Sequence, residues 1–198
     1  MWEGASPEAL SQLLNEFEQS LIDHGMPPGS LNDGLSAGEV EARLDEVGLV
    51  ANAELKVWFG WHDGEARPYA LGSLRMSSLD QSLQRYQQNR ARLEQSLTTE
   101  LGYQSLTWGA DEGWLRLERQ NHAVTIECAK ASGAPRLRYA TEDFAFEPTL
   151  YRAVSLCTPV SNWLTAARAG AFKWNAETEV WDIDSELIST VRTRSPLG

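Results

Sequence analysis

The sequence predicts an α+β fold: a single domain in which several helices pack an antiparallel sheet of about 4-6 strands, with an N-terminal helical extension. Three observations predict it. Stretches with helical apolar spacing, each opened by a capping residue, fill most of the first hundred positions. Residues 105 to 140 break into short runs separated by turn residues, the spacing of a meander. The length of 198 residues, with 42% hydrophobic and 23% charged, fits one soluble domain that can bury its own core.

Ser6 and Pro7 stand as N-cap and first residue of a helix. Leu10, Leu13, Leu14, Phe17 and Leu21 form its apolar stripe, and Gly25 ends it. MPPGSLNDG, residues 26 to 34, reads as a loop or linker. Residues 1–30 are therefore expected to form a helical extension, and residues 31–198 the main α+β domain. Ser36 and Glu39 have capping-box spacing ahead of Val40, Leu44 and Val47, and Gly48 with Leu49 makes a glycine cap with its hydrophobic partner. Asn52 can cap the next short helix, in which Leu55, Trp58 and Phe59 share a face. YALGSL, 69 to 74, reads as a short strand. Ser78 and Gln81 open a long helix whose seam is Leu79, Leu83, Tyr86, Arg90, Leu93 and Leu97. That seam spans fewer than three heptads, too few for a coiled coil, and suits a helix laid on a sheet or on other helices.

The middle of the chain reads as β. SLTW (105–108), WLRLER (114–119), AVTIECA (123–129) and RLRYA (136–140) are separated by turns, with Leu115 and Leu117 on one face. Thr158 and Pro159 mark another helix start, with Trp163, Leu164 and Ala167 on its apolar side and Gly170 at its end. FKWN and VWDI flank AETE and are placed to pair as a hairpin, after which Asp184 can cap a last short helix.

Lys and Arg total 17 and Asp and Glu 28, a formal net charge of −11. Such acidity argues against a nucleic-acid ligand, which needs a basic face. It favours a basic protein partner, though it also serves plain solubility. Cys128 and Cys157 form no CxxC pattern; Cys128 alternates with Val124 and Ile126 and reads as an inert core residue. The opening MWEGASPEAL has neither the basic region nor the apolar run of a secretory leader, and no stretch approaches the ~20 apolar residues of a membrane span. A cytoplasmic location without membrane contact is expected.

Several stretches, in this order, resemble the SUKH superfamily, which includes fungal cell-wall-assembly regulators and bacterial toxin-immunity proteins. LSAGEVEARLDEVGL (35–49) is similar to its opening helix, and ELKVWFGWHDG (54–64) to its second helix and aromatic-Asp-Gly turn. WGADEGWLRLE (108–118) resembles its tryptophan-led hairpin, and NWLTAARAGAFKWN with the later WDID its closing helix and strands. The resemblance covers residues 35 to about 184. The extension at 1–30 and the long helix at 79–99 depart from the pattern.

WFGWHDG, 58 to 64, places His62 beside Asp63. The structural expectation is that Trp58 and Phe59 fill core, His62 sits at the helix end where its charge is favoured, and Asp63 and Gly64 turn the chain into the sheet. The functional expectation is a rim for a protein partner made by Trp61, His62 and Asp63, with Trp108, Asp111 and Glu112 in the mid-domain turn. The chain has no G-x-S-x-G, no glycine-rich phosphate loop and no HExxH, and its three histidines lack metal spacing. No enzyme activity, cofactor or metal is expected. The resemblance implies a protein-binding domain, an immunity protein that neutralises a basic, nuclease-type toxin. The alternative is a regulatory or scaffold protein with cellular partners and no toxin, toward which the extra amphipathic helices at 1–30 and 79–99 lean. A ligand pocket lined by tryptophans is a further alternative, and the oligomeric state stays open.

Overall fold

A computed structural model describes residues 6–68, 70–71, 75–98, 114–117, 123–128, 137–140 and 155–194. Among them the helices are α1 (Pro7–Asp23), α2 (Ala37–Asp45), α3 (Ala53–Trp61), α4 (Leu79–Thr98), α5 (Cys157–Arg168) and α6 (Ser185–Arg194). The strands are β1 (Trp114–Arg116), β2 (Ala123–Glu127), β3 (Leu137–Ala140), β4 (Phe172–Asn175) and β5 (Val180–Ile183). The fold is α+β, and no helix among the described residues is long and apolar enough to cross a membrane.

Local chemistry starts most helices where the sequence places their caps. The Ser6 hydroxyl accepts the Ala9 amide, with Pro7 at the first helical position. Ser36 and Glu39 form a reciprocal capping box on α2, and Ser78 and Gln81 form one on α4. The Asn52 side chain accepts the Leu55 amide, and that of Asp184 accepts the Leu187 amide. Each satisfies an amide that a helix start leaves without an internal partner. Gly48 closes α2 at φ +74°, and the Leu49 amide returns to the Leu44 carbonyl.

α5 departs from this pattern. It begins at Cys157, one residue before the expected Thr158, and Leu156 at its N-cap offers no side-chain acceptor. The acceptor comes from α3: Glu54 Oε2 takes the Leu156 amide at 2.7 Å, and the Ser155 hydroxyl also bonds this carboxylate. Burial pushes the Glu54 carboxyl above its ordinary value, and the two hydrogen bonds only partly oppose that.

α1 packs on α5 and α3, and four of the five stripe residues enter the core: Leu10, Leu14, Phe17 and Leu21 are at most 1% exposed, while Leu13 is partly buried against it. Trp58 of α3 stands 6.2 Å, ring centre to ring centre, from Trp163 of α5, which lies 6.2 Å from Phe17. Leu79, Leu83 and Tyr86 of α4 are buried as the seam requires, whereas Arg90 is exposed, its guanidinium 6.0 Å from the Tyr86 ring.

The sheet is smaller than the four to six strands expected. Among the described residues the strands divide into an antiparallel sheet in the order β1-β2-β3 and a separate hairpin, β4-β5. Leu115 pairs with Ile126, both fully buried, and Val124 with Tyr139. Anchorage explains the division. The Trp174 amide of β4 donates to the His24 carbonyl after α1, and Trp181 Nε1 of β5 donates to the Ala70 carbonyl. The hairpin is thus tied to the end of α1 and to residue 70, and among the described residues it pairs with no strand of the other sheet. The expected strand at 105–108 lies outside the described residues, as does most of 69–74. Cys128 is a core residue as expected, its thiol pushed up to about 12 by burial.

Glu54 gives a pH prediction. Its folded-state value lies above the ordinary 4.5, so the folded chain holds more protons than the unfolded chain between the two values. Its contribution to stability is complete below 4.5 and is lost as pH rises through the raised value. Glu54→Gln has no such loss. Urea unfolding in steps from pH 4 to 8 is expected to show wild type losing ground to the variant as pH rises; a gap that stays constant sinks this account.

Candidate functional site

α3 ends at Trp61, and three segments meet there. His62, its C-cap, has extended backbone, φ −150° and ψ 144°, so the chain leaves the helix axis and the ring turns back toward α1. Nε2 lies 3.1 Å from Glu18 Oε2 of α1, and Nδ1 lies 2.7 Å from the Asn32 carbonyl. Trp61 Nε1 donates to the same Glu18 oxygen at 2.9 Å, and its ring stands edge-on to His62 at 4.7 Å. Trp61, His62 and Glu18 are all partly buried.

The 31–36 segment completes the junction. The Asn32 amide donates to the Gly64 carbonyl, its side-chain Nδ2 donates to the Asp63 carbonyl, and the Leu35 amide donates to the Phe59 carbonyl. Gly34 is required: a Cβ there would lie 2.0 Å from the Gly60 carbonyl oxygen.

Electrostatics follow from these contacts. The His62 hydrogen bond holds Glu18 below the usual carboxylate range; burial opposes it and Trp61 assists it. For His62, burial is the largest single influence and favours the neutral ring. The hydrogen bonds to Glu18 and Asn32, with the charges of Glu18 and Asp33, together outweigh it and raise the pKa.

Asp63 has a structural role. Its Oδ1 accepts the Leu79 amide at 2.6 Å, at the first residue of α4. Gly64, at φ +82°, lets the backbone approach closely, since a Cβ would meet Ser78 N at 2.7 Å. The pair therefore docks on the start of α4, and directly after it Glu65 forms an antiparallel bridge with Leu31. Of the residues expected to form a partner rim, Trp61, His62 and Asp63 stand together, while Trp108, Asp111 and Glu112 lie outside the described residues. Glu18 was missing from that set. Its signal was available: it stands four residues after Leu14 and three before Leu21, a carboxylate bordering a buried stripe.

The charge is also unevenly placed. Residues 1 to 55 hold eleven of the 28 acidic residues and one of the 17 basic ones, Arg43, so ten of the eleven net negative charges fall there. Glu8, Asp23, Asp33, Glu39, Glu41, Asp45 and Glu46 are exposed on α1, α2 and their connections. Some of the acids are engaged: Glu41 pairs with Lys56 of α3, and Glu16 with Arg168 of α5 at 2.7 Å. An open trough on the outward side of α1 is lined by Glu8, Gln12, Asn15, Glu16 and Gln19, with Val57 of α3 beside them.

No family model matches the chain, and no curated protein matches it.

The cap made by Asp63 is testable. Asp63→Ala removes the acceptor of the Leu79 amide, so it is expected to cost about 1 kcal/mol. Chemical denaturation reads this; unchanged stability excludes the capping role.

Proposed function

We propose that this chain is a non-enzymatic, cytoplasmic protein-binding domain, an immunity protein of the SUKH kind that covers the basic cleft of a nuclease-type toxin. The observation that carries the reading is the concentration of charge: ten of the eleven net negative charges fall within residues 1 to 55, and most of the acids there are exposed. A toxin that grips phosphate needs a positive cleft. A surface dense in carboxylates attracts such a cleft and speeds the encounter, while aromatic anchors supply lasting affinity. Trp61, fixed by Glu18 beside this surface, is the anchor in this reading.

The regulator or scaffold reading leans on two amphipathic helices, at 1–30 and 79–99. Leu10, Leu14, Phe17 and Leu21 of α1 are buried in the chain's own core, as are Leu79, Leu83 and Tyr86 of α4, which leaves less apolar surface for such partners.

Affinity capture from the native cell at low and high salt, with growth assays, tests the proposal. The expected result is one basic partner, bound one to one, that arrests growth when expressed alone and is silenced by this chain. Several unrelated host proteins, or the chain itself as its own partner, overturn the reading. With the partner in hand, the triple variant Asp23→Asn, Asp45→Asn, Glu46→Gln is expected to slow association at low salt by roughly tenfold and to change dissociation little.

A further inference from the structure

The contacts of His62 impose a condition on its protonation. Nδ1 faces a backbone carbonyl and Nε2 faces a carboxylate oxygen. Both partners accept hydrogen bonds and neither donates. A neutral imidazole carries one N–H, so one of its nitrogens would present a lone pair to another lone pair. The imidazolium donates to both. Its position at the C-terminal end of α3, where the helix carries partial negative charge, favours the same form.

The charged groups facing the ring agree. Glu18 faces it from α1, and Asp33 acts on it from the loop. Asp63, next in the chain, is turned away to α4, and the α3 residue against the ring is the uncharged Trp61. The imidazolium thereby joins segments distant in sequence: α1 through Glu18, the 31–36 loop through Asn32, and the end of α3 through its own backbone.

We propose that His62 is a proton-operated latch: protonated, it clamps α1 and the 31–36 loop to the end of α3, and on losing its proton it keeps its remaining N–H on the Glu18 carboxylate and releases the loop. The rest of α1 stays seated, because its apolar stripe is buried independently of the latch. Release therefore loosens the loop without unfolding the domain, while Trp61 keeps its own bond to Glu18. The sign follows from the raised folded-state pKa. The latch contributes fully below the ordinary imidazole value of 6.5 and is lost as pH rises through the higher folded value. Acid opens it from the other side. Glu18 has a lowered folded value, so its contribution is complete above 4.5 and is lost as pH falls through the lower one. The device stands apart from the toxin reading and needs no partner.

Nitrogen NMR of the full chain, titrated across pH 5 to 9, tests it. At pH 6 both His62 ring nitrogens are expected to show N–H character, with a midpoint above that of a free imidazole. Glu18→Gln is expected to move the midpoint down, and so, more weakly, is Asp33→Asn, which leaves both ring hydrogen bonds in place. Hydrogen exchange gives the mechanical readout. The Asn32 and Leu35 amides, bonded to Gly64 and Phe59, are expected to lose protection through the same midpoint, beyond the intrinsic rise with pH. The Leu117 amide, bonded to Val124 in the sheet, is expected not to follow. A single-proton ring at pH 6, or protection at Asn32 and Leu35 that ignores the midpoint, overturns the latch. If Glu18→Gln does not fold, the wild-type nitrogen shifts and Asp33→Asn decide, and a midpoint unmoved in Asp33→Asn counts against it.

Discussion

Leu10, Leu14, Phe17 and Leu21 leave water together, and the seam between α3 and α5 receives them. At about 1.5–3 kcal/mol for each large apolar side chain fully buried, this stripe outweighs any single hydrogen bond near it, worth about 0.5–1.5 kcal/mol net. Burial therefore fixes where α1 lies, and the polar contacts adapt. Once Phe17 stands beside Trp163, Glu18 has to sit at the border of the core, within reach of Trp61 and His62. Glu16 comes to face Arg168 of α5, and the carbonyl of His24, just past the helix, meets the Trp174 amide. One apolar stripe thus orders the helical side, the aromatic rim and the anchorage of the β4-β5 hairpin.

The helix caps were legible in the sequence because they are local. Ser6, Ser36, Asn52, Ser78 and Asp184 each bond an amide three residues on, and a short window contains both partners. The acceptors that act across the chain were not legible. Glu54 serves Leu156 over 102 positions, Glu18 serves His62 over 44, and Asp63 serves Leu79 over 16. No spacing rule links such pairs; the packing of helices brings them together. The sheet shows the same limit. The runs that became β1, β2, β3, β4 and β5 could be read from composition and turns. That β4 and β5 bond to the carbonyls of His24 and Ala70 is something no strand pattern records.

WFGWHDG shows how one stretch divides between core and surface. Trp58 and Phe59 are at most 1% exposed and belong to the core. Trp61 and His62 are partly exposed but held by Glu18, and Asp63 is committed to α4. A histidine beside an aspartate suggests a proton relay in sequence. Here the aspartate points the other way, and the carboxylate that matters is Glu18.

The distribution of acid bears on stability as well as on partners. Like charges gathered on one half of a small domain repel, and the folded state must absorb that cost. The chain offsets part of it by engaging several carboxylates in its own structure. Glu39 serves a capping box, Glu41 faces Lys56, Glu16 faces Arg168, and Glu18 faces His62. Asp45 and Glu46 are exposed at the C-terminal end of α2, where the helix end is itself partly negative. Carboxylates there work against their own helix. In the proposed function, a positively charged partner would turn this local penalty into attraction.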